Sequence, residues 1–419
     1  MRDVVVVGAG ISGLRSAELL ASAGLDVVVI EKNETMGGSF GENLEAFPEY
    51  HYAKLDFQMP TTGVRDVKLF CGDGQFKQEL SLKFKAPVFR VVKRGPAPDS
   101  IDSHLYDRAR RTSAEIRFNE KFESAKPDGS KIVVRTSRSE YRCRVVIAAD
   151  GVFSSVRKSL HLSGNQKTEG VGYIAKVKGA RLQQSEILGI FNYKRWPGSY
   201  CYVMGYPKED CATVGMTLRP PYADTMVHKY YDSLIDYLPD ILGQSRVVDL
   251  TRGFVTMGSR DRVLSTSLGS SGIMNALFVG EAGGFQDPTL AFGLTPALQS
   301  AGIASACIIG ALKKNDLRLL SEYPALARQE LVKVETKRLS FRYILESMTE
   351  EELSSFLATT ARNPETVERV MRTGEYVRYF LPLVVRTASR NPRMLSFPFR
   401  LVRTSRALKS RRVISRSPK

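Results

Sequence analysis

The chain is poor in the residues that would cross-link it or plant it in a bilayer. Its 419 residues include five cysteines, Cys71, Cys143, Cys201, Cys211 and Cys307. The count is odd and no Cys-x-x-Cys pair occurs, which argues against a disulfide framework or a zinc site and for a reducing, cytoplasmic setting. No metal site is expected. No apolar run reaches the ~18–20 residues needed to cross a hydrocarbon core. The longest candidate, Ala301 to Leu312, is short and rich in Ala and Gly, so a buried helix is expected there. The N-terminus enters a strand at once, with no basic and apolar leader, so no secretory signal is expected. Tryptophan occurs once, at Trp196, and no internal repeat is evident.

Acidic residues are also in deficit, giving a net charge of +17, and the deficit is local. From Arg369 to Lys419 fourteen Lys/Arg face a single acid, Glu375, so thirteen of the seventeen charges belong to that end. Apolar residues interleave with them at Tyr379 to Val385, Met394-Leu395 and Phe397 to Val402. Such a mixture suits an anionic membrane surface better than a nucleic-acid groove. Peripheral membrane association is therefore expected, and no nucleic-acid partner.

What is present is concentrated at the start. The β-branched run Val4 to Val7 leads into Gly8-x-Gly10-x-x-Gly13, a helical pattern through Leu14, Ala17, Leu20 and Ala21, and a second strand, Val27 to Ile30, closed by Glu31. That is a βαβ unit of dinucleotide-binding length. Gly8 permits a tight turn, Gly10 lets backbone approach a pyrophosphate, and Gly13 lets helix and strand pack closely. The helix N-terminus, at Ser12, offers N–H groups to phosphates. Glu31, next to Lys32, is placed to accept hydrogen bonds from an unphosphorylated ribose, which favours FAD or NAD over NADP. The turn after it carries Gly37, Gly38 and Gly41, placed to continue along the cofactor.

Two later stretches stand out. A buried-type strand, Arg144 to Ala149, ends in Asp150-Gly151 with a short helix behind it. Another, Asn275 to Val279, delivers Gly280-Glu281-Ala282-Gly283-Gly284-Phe285, then Pro288 and Gly293-Leu294 before a long small-residue helix. Between them, from Gly170 to Phe254, short alternating segments predict an inserted antiparallel sheet. Its Trp196, Tyr200, Tyr202 and Tyr206 make a plausible wall for an apolar pocket. Ser100 to Thr112 predicts an amphipathic helix, and Leu319 to about Val385 is helical in character.

In their order and spacing, these three stretches resemble the FAD-dependent monooxygenase-like (para-hydroxybenzoate hydroxylase-like) flavoproteins, and within them the geranylgeranyl reductases. Ala149-Asp150-Gly151-x-x-Ser154-x-x-Arg157 is similar to that superfamily's central Asp-Gly motif. The segment from Gly280 is similar to its Gly-Asp-Ala-Ala-Gly-Phe, with Glu281 in place of the Asp. The resemblance implies that Glu281 meets the flavin's ribityl chain, that Gly293 and Leu294 lie beside its ring, and that Arg94 lies nearby. Phe40-Gly41-Glu42-Asn43-Leu44 stands where the reductases commonly read Cys-Gly-Glu-Gly-Leu, so Phe40 replaces a thiol and is expected in the substrate pocket. Pro197-x-x-Tyr200-x-Tyr202 with Tyr206-Pro207 resembles a Pro-x-x-Tyr-x-Trp-x-Phe-Pro signature, stretched by two residues and with Tyr for Trp.

The expected architecture is α/β. A Rossmann-type FAD-binding domain (1–165 and 255–318) carries an inserted, mainly antiparallel substrate sheet (166–254, with 50–98 contributing). A helical region (319–404) and a basic tail (405–419) follow. The expected activity is reduction of carbon–carbon double bonds in a polyprenyl lipid or quinone-like chain, with NAD(P)H or a ferredoxin-like carrier as reductant. The sequence does not identify the proton donor; Tyr200 and Tyr206 are candidates, with ordered water equally so. The alternative is an FAD monooxygenase of an aromatic or lipophilic molecule. A halogenase is disfavoured, because its Trp-x-Trp-x-Ile-Pro pattern needs more than the single Trp196.

Overall fold

The computed structural model describes residues 1–37, 41–162, 170–182, 186–196, 201–206, 209–218, 227–255, 275–287, 290–332, 335–388, 396, 399–400 and 403. Strand Arg2–Val7 lies at the centre of a seven-stranded sheet, paired in parallel with Val27–Ile30 on one side and Glu140–Ala148 on the other. Burial on both faces explains why its residues are β-branched without alternation. Glu115–Arg117 extends one edge in parallel, and the hairpin Phe122–Asp128 and Lys131–Thr136 extends the other. The returning strand Ala276–Phe278 runs parallel beside the end of Glu140–Ala148. The loops from Gly8, Asp150 and Gly280 therefore emerge together at the carboxyl ends of neighbouring strands, where open α/β sheets place their ligands.

Helix Ile11–Ser22 turns Leu14, Ala17, Leu20 and Ala21 inward, as their helical spacing requires. Helix Leu294–Lys313 packs against it, and buried Ala301, Ala304 and Ala311 keep the contact close. This helix has 20 residues and is apolar enough to cross a membrane, yet most of it is buried within the protein. The apolar stretch Ala301 to Leu312 is its C-terminal part, a core element.

A second seven-stranded sheet runs in the order Arg246–Val255, Gly170–Lys178, Cys211–Leu218, Cys201–Gly205, Glu186–Phe191, Asp66–Cys71, Gln78–Lys83. Among the described residues, only the Glu186–Phe191 and Asp66–Cys71 pair of this sheet is parallel. The early hairpin is thus stitched onto the inserted sheet. A small sheet of Leu44–Pro48, Phe89–Lys93 and Thr62–Val64 joins the two layers.

Each strand of the second sheet sends alternate residues to opposite faces. One face, with Leu188, Val203 and Trp196, is sealed by Tyr230, Leu234 and Tyr237 of helix Val227–Tyr237. The other, with Val67, Leu82, Ile187 and Met204, faces helices Glu335–Ser347, Glu350–Ala361, Pro364–Thr373 and Tyr376–Ala388. Thr349 and Glu352 close a capping box at the start of the second of these helices. The C-terminal helices therefore share one apolar core with the inserted sheet.

Candidate functional site

A continuous cavity of about 630 Å³ runs from the glycine turn of the first strand to the C-terminal helices. Its first half is polar, built from the glycine turns and from the side chains of Glu31, Arg94, Asp150 and Glu281. Gly8 has φ +105°, and a β-carbon built there would lie 2.5 Å from the Ala149 carbonyl oxygen. A β-carbon at Gly10 would meet nothing within 4 Å and would occupy the cavity itself. Gly13 does not border the cavity; a β-carbon there would lie 1.9 Å from the Gly8 carbonyl oxygen, so this glycine holds helix against strand. Gly10 caps the helix with no side-chain hydrogen bond and no acid lies in its first turn, so the amide end, with Ser12, faces the cavity as an anion cradle.

Glu31 borders this half, and its carboxylate accepts from the Ala9 amide at 2.8 Å and the Asn33 amide at 3.0 Å. Those bonds fix the acid where the second strand ends, and exposed Lys32 lies at the rim beside it. Asp150 borders the cavity from the neighbouring strand; Oδ2 accepts from the Val156 amide at 3.1 Å, whereas Oδ1 is buried with no hydrogen-bond partner. Burial raises this carboxyl group above its ordinary range, against hydrogen bonds that lower it. A buried orphan oxygen is costly in an apolar setting. It marks a place for a donor such as a ribityl or ribose hydroxyl.

Glu281 borders the cavity from the third loop. Gly280, at φ +56°, sits so near Ser12 that a β-carbon would lie 2.7 Å from its hydroxyl. Arg157, from the Asp-Gly motif, holds this loop. Its buried guanidinium donates to the Ala282 carbonyl at 2.8 Å and lies 4.4 Å above the Phe278 ring. Gly293 and Leu294 start the long helix at the cavity, again with no side-chain cap. Arg94 also borders the cavity, but its buried guanidinium is held by Asp102 (2.9 and 3.3 Å) and Glu45. Two carboxylates keep it firmly protonated against the cost of burial.

The second half is apolar. Alternate residues of the inserted sheet, among them Val67, Leu69, Ile187, Gly189, Phe191, Tyr202 and Met204, form one wall. Phe341, Leu353, Phe356, Leu357, Met371, Tyr376 and Phe380 of the C-terminal helices form the other. Reading the sequence misses this second wall entirely. Its apolar stripe marks a buried face, but helical spacing does not say whether that face meets a core or a cavity.

Several expected pocket residues lie elsewhere. Trp196 is on the sheet's opposite face, its indole N–H donating to the Tyr230 carbonyl and its ring edge-on to Tyr237. Tyr206 does not border the cavity either. Its hydroxyl donates to the Glu42 carbonyl at 2.8 Å and accepts from Thr213 at 3.2 Å, and the ammonium groups of Lys93 and Lys176 lie 5.9 and 4.8 Å from the ring centroid. It is a strut, and burial drives its hydroxyl pKa up further. Gly41 is likewise away from the cavity, at φ +59° against the Asp249 and Thr251 side chains, while Gly37 does border it. Tyr202 is the expected aromatic that reaches the slot. Gly38, Phe40, Tyr200, Pro288 and the tail from 404 lie outside the described residues.

A family model described as pyridine nucleotide-disulphide oxidoreductase matches residues 5–189. The digeranylgeranylglycerophospholipid reductase of Methanocella arvoryzae is 25% identical over 366 residues, covering 84% of this chain and 89% of its own. A geranylgeranyl bacteriochlorophyll reductase-like protein from Thermoplasma acidophilum superposes with a TM-score of 0.76 at 18% identity, over 96% of this chain and 99% of its own. A point mutant of the halogenase PltM, in complex with FAD, superposes at 0.63 with 13% identity, over 97% and 94%. With this geometry, the chain has the fold of the flavin-dependent oxidoreductases it superposes on, and the polar end of its cavity fits FAD. Within that class its likeness is to the geranylgeranyl reductases. The disulphide of the matching family's description has no counterpart here: all five cysteines are free, and burial pushes the Cys71 thiol up to about 11 and Cys143 to about 12.

Proposed function

We propose that the chain reduces carbon–carbon double bonds in the polyprenyl portion of a lipid, a geranylgeranyl chain or an isoprenoid quinone tail. The observation that carries this reading is the continuity of the cavity: the polar end that fits FAD opens without a partition into a slot walled by aliphatic and aromatic side chains. Among the described residues the slot has few directional groups, chiefly the phenols of Tyr202 and Tyr376. The Thr360 hydroxyl is already spent on the Phe356 carbonyl at 2.8 Å. Such a wall grips an alkyl chain and gives an aromatic phenol little to orient it. FAD supplies hydride to the alkene, while the protein orients the chain and excludes water. NAD(P)H or a ferredoxin-like carrier restores the flavin. The basic, apolar-studded C-terminus rests on an anionic membrane from which the lipid is drawn.

The test is anaerobic reduction of the bound flavin followed by mixing with geranylgeranyl phospholipid. Reoxidation with gain of two hydrogens per double bond is expected. Failure of every polyprenyl lipid to reoxidise it removes this reading. Substrate-stimulated oxygen uptake with NAD(P)H would instead identify a monooxygenase. Salt-sensitive co-sedimentation with anionic liposomes, lost on removal of residues 369–419, is expected for the membrane contact.

A further inference from the structure

A buried polar cluster lies where the flavin loop meets the C-terminal helices. The Tyr50 hydroxyl donates to Asp287 Oδ2 at 3.0 Å, and His51 Nε2 stands 3.5 Å from the same oxygen. Arg338 bonds that carboxylate and lies over the rings of Tyr50 (4.9 Å) and Tyr376 (6.0 Å). Tyr376 borders the large cavity edge-on to Tyr50, and its fully buried hydroxyl makes no well-aligned hydrogen bond, although Tyr50 is its polar neighbour. His51 Nδ1 is likewise buried without a partner.

A second, small cavity of about 30 Å³ is lined by Asp287, His51, Gln286, Gln299, Glu330 and Arg338 among others. That is room for roughly one water in a polar setting. Through Tyr50 and Tyr376, Asp287 and Arg338 thus connect this polar pocket with the greasy slot. Burial is costly for each of these groups, and helix packing alone does not call for five of them at this place.

We propose that Tyr376 donates the proton in alkene reduction and is recharged through Tyr50, Asp287 and His51 from the small polar cavity. The inference rests on the reductase reading above. The alkene accepts hydride from the reduced flavin at one carbon. Its π electron pair takes the Tyr376 hydroxyl proton to form the second C–H bond. The alkene gains two electrons and the flavin is oxidised. The Tyr376 oxyanion, facing the Arg338 cation, takes the Tyr50 proton, and a proton from the small cavity restores the chain through His51 and Asp287. Burial and the Asp287 charge raise the Tyr376 pKa, so it holds its proton until it is used. Burial lowers the His51 pKa, leaving a neutral imidazole that can accept at one nitrogen and donate at the other.

The experiment compares the FAD-loaded wild type with Tyr376→Phe and Tyr50→Phe. Tyr376→Phe is expected to keep its flavin absorbance and its affinity for geranylgeranyl phospholipid, measured by equilibrium binding, while lipid-driven flavin reoxidation falls about 100-fold or more. Tyr50→Phe is expected to perform the first turnover within about 3-fold of wild type and to slow in later ones, because the first proton is already on Tyr376. Loss of flavin or lipid binding in Tyr376→Phe would assign it a packing role and overturn the proposal. So would wild-type reoxidation by that variant, which would make ordered water the donor. If wild-type flavin is itself not reoxidised by the lipid, the reductase reading fails, a result distinct from either.

Discussion

Gly13 and Gly8 touch so closely that a β-carbon on the first would lie 1.9 Å from the carbonyl oxygen of the second. Three residues earlier, Gly10 faces open cavity. The two glycines of one motif therefore answer to different demands. Gly13→Ala is expected to destabilise the fold by about 1–3 kcal/mol, because backbone must separate to admit the methyl group. Gly10→Ala is expected to melt like wild type when flavin-free and to retain far less FAD. Melting curves of both apoproteins and the visible absorbance of the purified holoproteins separate the two effects.

Asp150 carries a sign that can be checked. Burial raises its pKa in the folded chain above the ordinary value of about 3.9. Between those two values the folded form holds a proton that the unfolded form has released, so stability falls as pH rises through that window and stays lower above it. Asn at this position cannot ionise and can still accept from the Val156 amide. Asp150→Asn apoprotein is expected to melt higher than wild type at neutral pH, with the difference shrinking as pH falls toward about 4. A difference that grows on acidification would contradict the burial argument.

Tyr202 lies flat on its cross-strand partner Gly215, where a β-carbon would sit 2.0 Å from the ring's Cζ. Gly215→Ala is expected to drive the ring off the sheet toward the slot, at a cost of about 1–3 kcal/mol. Affinity for a polyprenyl lipid is expected to fall with it. Adding Tyr202→Leu removes the clashing ring and is expected to restore both. Thermal melting and lipid binding on the three variants provide the measurement.

The dinucleotide end is legible in the linear chain because its geometry is local. Gly8 to Glu31 form one βαβ unit, and the reasons for each glycine lie within a few residues of it. The loops at Asp150 and Glu281 are legible as strand ends followed by helix starts, and parallel pairing brings them to the same edge. The slot is not. Trp196 and Tyr202 belong to one aromatic cluster in sequence, but they lie on opposite faces of the sheet. Tyr206 looks chemical because it is a tyrosine near a pocket signature, yet the Glu42 carbonyl and two lysines claim it. Phe341, Phe356 and Phe380 join the site through contacts distant in sequence, which no spacing rule reaches. The Tyr50, Asp287 and Arg338 cluster escapes the sequence for the same reason.

The outer wall of the greasy slot is contributed by helices between Glu335 and Ala388, whereas the phosphate cradle is complete before Leu294. On the proposed reading, preference for tail length and branching would drift within one contiguous block of chain while the polar end of the cavity stays as it is. Swapping that block among relatives, with Arg338 and Tyr376 kept, would move taste without touching the engine.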